Sequence, residues 1–150
     1  MTVQVRQNNV TVPFIKYGTT FVINGSIAQD AARTTDLLQN TVMAYNPTNQ
    51  NWVPFNDLTQ TNGESVPRGI YLGSDIDAAD LAAADIENAE ILVGGCCTVD
   101  KELIVWDDDT LDEDDIVNPA TIEARTTRHA LAAAAGIWIE DTVDISEIEN

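Results

Sequence analysis

NTVMAYNPTNQNWVPFNDLTQTNGESVPRGIYLG, residues 40–73, is the stretch whose reading decides the fold. Residues 41–45 are a short β-prone run. Residues 46–51, NPTNQN, form a turn cluster, because asparagine bonds its own backbone and proline presets φ. Trp52, Val53 and Phe55 resume an apolar strand with Pro54 inside it. Residues 59–65 are a polar loop containing Asn62-Gly63, and residues 68–73, RGIYLG, make a third strand. The pattern predicts a β-rich meander. Proline cannot donate to a ladder, so Pro54 predicts an edge or bulged position where something else can pack.

Upstream, FIKY (14–17) and FVI (21–23) read as short extended segments, with Asn24-Gly25 as a turn after the second. Residues 26–39 read as loop with room for a short helical turn, since Thr34-Thr35 oppose a long helix. Residues 1–12, MTVQVRQNNVTV, alternate partly through Val3, Val5, Val10 and Val12, too weakly for a core strand. They fit either an edge strand or a flexible arm that becomes a strand against another chain.

Downstream, DIDAADLAAADIEN (75–88) mixes helix-forming alanines with turn-forming aspartates, which predicts one short helical turn at 78–83. AEILV (89–93) is a strand. Gly94-Gly95 bends it, and residues 96–99 continue it. LIVW (103–106) is another strand. DDDTLDEDD (107–115) is a solvated acidic loop. Asn118 suits an N-cap and Pro119 the first helical position, which opens the main helix. That helix runs to about residue 135 and stops at Gly136. Ala120, Ala124, Thr127, Leu131 and Ala134 give it a narrow face of small residues. The acids before it and Arg125, Arg128 and His129 in its later half both suit its dipole. IWI (137–139) closes the body as a last strand, before an acidic tail at 141–150.

The 150 residues predict one α+β, β-rich domain with one main C-terminal helix. It divides into an N-terminal arm (1–12), a body (13–140) and the tail (141–150). Twenty-five acidic residues against seven basic ones give a formal charge of −18. Such a surface repels nucleic acid and anionic membranes alike. It is consistent with simple solvation, with a basic partner, or with high salt. No stretch reads as a signal peptide or a bilayer span, so the expectation is a protein made in a cytoplasm that stays soluble.

Catalytic chemistry finds no pattern to rest on. His129, the only histidine, sits in a helical pattern near Arg125 and Arg128 and reads as a helix-surface, dipole-satisfying residue rather than a general base. Ser26, Ser65, Ser74 and Ser146 lack a nucleophile-elbow context. Cys96 and Cys97 are too close in sequence for a regular disulfide and too few for zinc, and read as small apolar strand residues. The acidic run fails the EF-hand pattern, with Asp112 at position six and Asn118 at position twelve. No phosphate loop is present. The expectation is no enzyme, no cofactor, no metal and no small-molecule substrate. Trp52, Phe55, Tyr71, Trp106 and Trp138 read as core residues on strands, with a minority as anchors of a subunit interface.

The order of NTVMA, WVPF (52–55), Asn62-Gly63, PRGIYL (67–72), DIDAAD, ILVGG (91–95), Leu103 and an alanine-rich helix ending in AGI (135–137) resembles the bacteriophage head decoration proteins, the lambda D-like capsid stabilisers. The resemblance spans residues 40–139 on short motifs whose order carries it. It implies a β-tulip-like α+β body assembled as a homotrimer, located on the outer capsid surface of a virion. The partner it implies is the major capsid protein at three-fold and quasi-three-fold sites of an expanded head, clamped against the pressure of packaged DNA. It further implies that the arm, through Thr2, Val3, Gln4, Val5, Val10, Thr11 and Val12, orders on the capsid and adds a strand to the shell protein. The 107–115 run and the 141–150 tail depart from the family pattern. A head-fibre or tail component is the alternative within the same class. A carboxylate-rich divalent-cation domain, hydrolytic or purely binding, is the alternative from another.

Overall fold

The computed structural model describes residues 14–56, 66–107 and 127–140. The described chain is β-rich, with two short helices, and its centre is a closed five-stranded barrel. The strands are β1 (Ile15–Gly18), β2 (Phe21–Ile27), β3 (Val42–Asn46), β4 (Asn51–Pro54), β5 (Pro67–Tyr71), β6 (Ile86–Gly94), β7 (Cys97–Asp100) and β8 (Ile137–Glu140). The helices are α1 (Ala78–Ala83) and α2 (Thr127–Ala135). The barrel order is β2-β4-β3-β5-β6, and β1-β7-β8 form a separate three-stranded sheet.

β3 and β4 are the hairpin expected from the turn cluster, paired from Asn46↔Asn51 to Met43↔Pro54. The Asn46 side chain accepts from the backbone N–H groups of Thr48 and Asn49 at 3.0 and 3.2 Å, which folds the turn. β5 pairs with β3 rather than with β4, so these three strands lie in the order β4-β3-β5. The far side of β4 is taken by β2, through the single parallel bridge Ile27↔Trp52 that closes the barrel. The strand is therefore not an edge. Pro54 sits at its end, beyond that bridge, where a missing N–H costs no ladder bond.

Three other expectations change. Asn24-Gly25 is no turn: both residues lie inside β2, opposite Glu90 and Ala89 of β6. Residues 28–39 contain turns and the isolated bridge Leu37↔Ile76, with no helix. Residues 103–106 are not a strand. Lys101–Leu103 form a 3-10 turn capped by Asp100, whose side chain accepts from Glu102 N at 2.9 Å. Of residues 104–106, only Val105 bridges, in parallel to Thr41.

The local signals perform better. α1 covers the expected residues, with buried Leu81 holding it to the barrel core. β6 begins earlier than expected, at Ile86. Gly94, Gly95 and Cys96 take φ of 147°, 113° and 80°, so the chain turns there and β7 enters the other sheet. α2 ends at Gly136, whose φ of 67° and 2.8 Å bond to Ala132 O make the expected glycine stop. The Asn118-Pro119 start and the small-residue positions before 127 lie outside the described residues, as do the arm and the tail.

Two main cores follow from strand alternation. Inside the barrel, Ile27, Met43, Trp52, Tyr71, Ala89 and Ile91 pack together, with Leu37 and Leu81. Outside it, Ile70 and Leu92 meet Leu131 of α2 and the inner face of the small sheet, including Cys97, Val99, Ile137 and Ile139. α2 lies against β5 and β8 and so fills the space between barrel and sheet.

Candidate functional site

The five aromatic residues singled out from the sequence do not form one cluster. Trp52 and Tyr71 are buried in the barrel, with Tyr45 tilted 56° to Trp52 at a centroid distance of 5.2 Å. Trp52 fits because residues 25 and 69 are glycines. A Cβ on Gly25 would stand 2.8 Å from the indole Cδ1 and Nε1, and one on Gly69 would stand 3.0 Å from Cζ3. The Tyr71 hydroxyl donates to Ser74 O at 2.6 Å, and burial first, then Asp75 and Glu90, push its pKa upward. Phe55 is buried just after β4, not on a strand, and meets half-buried Trp106 edge-on at 6.2 Å and 66°. Trp106 is likewise off any strand. Trp138 is on β8 but 49% exposed, so it is not a core residue.

The surface carries further large apolar side chains that the sequence did not mark. Phe21 is 61% exposed, and Ile23, Leu38 and Leu103 are exposed as well. The first two lie on β2 where the barrel is splayed. β2 pairs with β6 along most of its length, but meets β4 only at Ile27. Among the described strands, residues 21–26 therefore pair on one side only. An edge bearing exposed apolar residues is a template for another chain unless something covers it. Among the described strands β8 is an outer strand of its sheet, so Trp138 occupies a second edge.

The acidic run begins differently from a solvated loop. Asp107 accepts a two-pronged contact from Arg33, Nη1 to Oδ2 at 2.6 Å and Nη2 to Oδ1 at 2.5 Å. The Arg33 side chain is 6% exposed, and its pKa is raised by the Asp107 hydrogen bond and charge, with Asp30 and Asp36 adding to it. Asp107 is thus a structural anchor, and residues 108–115 lie outside the described residues. Among the described residues, no group of three His, Cys, Asp or Glu is placed to hold a metal ion.

The two thiols diverge. Cys97 is a buried strand residue whose pKa is pushed up to about 11 by burial and by neighbouring Cys96. Cys96 is exposed in the left-handed turn and is not a strand residue. His129 falls within α2. The arm positions Thr2, Val3, Gln4, Val5, Val10, Thr11 and Val12 lie outside the described residues. No described helix is long and apolar enough to cross a membrane. What this geometry offers is two strand edges with apolar side chains on an acidic body. No protein-family model matches the chain, and no curated protein matches it.

Proposed function

We propose that the chain is a capsid decoration protein. It assembles as a homotrimer and binds the major capsid protein at three-fold and quasi-three-fold sites on the outside of an expanded phage head. There it resists the pressure of packaged DNA. The observation that carries this reading is the half-paired edge of β2 with Phe21 and Ile23 exposed on it. A domain of charge −18 resists casual self-association. An apolar strand edge kept on such a surface is best explained by a specific neighbour that covers it.

The motif order across residues 40–139 supports the same reading. β1 begins at Ile15 and, among the described strands, is the other outer strand of the three-stranded sheet. In this proposal residues 1–12 add a strand to the shell protein, with backbone bonds supplying the affinity. The finer fold belongs to the proposal too: a β-tulip-like body, with α2 as the end of one main C-terminal helix opened by Asn118-Pro119. Clamping needs no pocket, cofactor or metal. It needs many modest contacts repeated by symmetry, which avidity multiplies.

Electron cryo-microscopy of the virus that encodes the chain tests the reading. Protrusions of three copies each at the three-fold positions of the head are expected. Density on a tail or a head fibre would replace it with the alternative structural role.

A further inference from the structure

β3 outruns its hairpin partner. β4 ends at Pro54 opposite Met43, and Phe55 N makes the last bond of that lane, to Val42 O at 3.0 Å. Two backbone groups on the same side of the strand then need other partners. Val105 supplies them: Val42 N donates to Val105 O at 3.0 Å, and Val105 N donates to Asn40 O at 3.1 Å. One lane beside β3 is therefore shared, antiparallel β4 up to Phe55 and parallel Val105 after it.

Residues 101–107 cross the barrel as a strap. Ile104 and Trp106 cover the buried pair Val42 and Phe55. At the far end Asp107 is held in the fork of Arg33. Arg33 also donates to Thr35 O at 2.6 Å and Asp36 O at 3.1 Å. The Asp36 carboxylate in turn accepts Ala78 N at 2.9 Å, at the start of α1. One guanidinium thus joins the strap to the 33–36 loop and, through it, to the helix.

We propose that residues 101–107 are a latched strap that lifts from the barrel as a unit while the barrel stays folded, with Arg33–Asp107 as the latch. The barrel ring closes through β2-β4-β3-β5-β6 without any strap residue. The strap is held by two backbone bonds to β3, by Ile104 and Trp106, which pack on Val42 and Phe55 and also against the core between barrel and sheet, and at its exit by the Arg33–Asp107 ion pair. Elements with few bonds of their own open below the global unfolding free energy. Lifting frees Val42 N and Asn40 O and bares Val42 and Phe55. The inference does not rest on the decoration reading.

Residue-resolved hydrogen exchange on the full chain, wild type and Asp107→Asn, is the test. In the variant the Val42 and Val105 amides exchange at least about tenfold faster, as loss of a charge-assisted bond implies. The β6 amides of Ile91 and Leu92 keep their wild-type rates. Equal acceleration in β6, or no acceleration at Val105, overturns the proposal. If the variant does not fold, the wild type decides alone. With rising denaturant, opening at Val105 shows a smaller slope than opening at Leu92, and equal slopes overturn the latch.

Discussion

The indole of Trp52 occupies the space that a side chain on Gly25 would need: a Cβ there would stand 2.8 Å from both Cδ1 and Nε1. Packing rather than backbone conformation demands the glycine, since its φ is not in the left-handed region. Gly25→Ala therefore overpacks the barrel and costs about 1–3 kcal/mol. Thermal or denaturant unfolding measures it. Because Trp52 is the clashing partner, Trp52→Phe in the same chain recovers part of the loss. Simple addition of the two single-variant costs would show that Gly25 serves something other than the indole.

The thiols differ in reactivity. In the native protein at pH 8, iodoacetamide modifies Cys96 and spares buried Cys97. Mass spectrometry shows one adduct on native protein and two after denaturation. Two adducts on native protein would place Cys97 at the surface.

Alkaline stability follows from the same burial. The Cys97 pKa is about 11 in the fold against 9.0 for a free thiol, and Tyr71 is raised from 10.0. Each keeps its proton in the fold at pH values where the unfolded chain has released it. Stability from this source is complete below pH 9 and falls as pH rises through the folded pKa. Denaturant midpoints decline above about pH 9 in the wild type. In Cys97→Ala the decline between pH 9 and 11 is shallower, and an unchanged decline would remove Cys97 as its source.

The apolar edges predict a separation of folding from assembly. Phe21→Ser and Trp138→Ser alter exposed side chains, so each changes monomer stability by no more than about 0.5 kcal/mol. If the chain assembles as the proposed trimer, a substitution that lies in its interface weakens that trimer in analytical ultracentrifugation by about tenfold or more, the scale of an aromatic anchor. Melting that drops by several kcal/mol with either change would make that residue part of the core.

What is legible in the sequence is what local chemistry fixes. The Asn46–Asn51 hairpin, α1 at 78–83 and the stop at Gly136 each rest on residues within a few positions of one another. Gly25 reads as a turn because the reason for it lies 27 residues on, in Trp52. Residues 103–106 are apolar enough for a strand, yet only Val105 finds a ladder, in the lane that β4 leaves at Pro54. Pro54 reads as an edge, yet its strand lies between β2 and β3, and the strap pairs with β3 beyond the end of β4. The exposure of Phe21 and Ile23 depends on β2 meeting β4 at Ile27 alone, a closure that no periodicity encodes. The pairing of Asp107 with Arg33 spans 74 residues and leaves no local trace for the same reason.

The claim that this chain decorates an expanded head is tested most directly by co-sedimentation with purified heads of the virus that encodes it. The full chain pellets with expanded heads and stays in the supernatant with unexpanded precursors. A chain lacking residues 1–12 melts as before and no longer pellets. Failure of the full chain to pellet with expanded heads, or equal pelleting with both forms, would contradict the account.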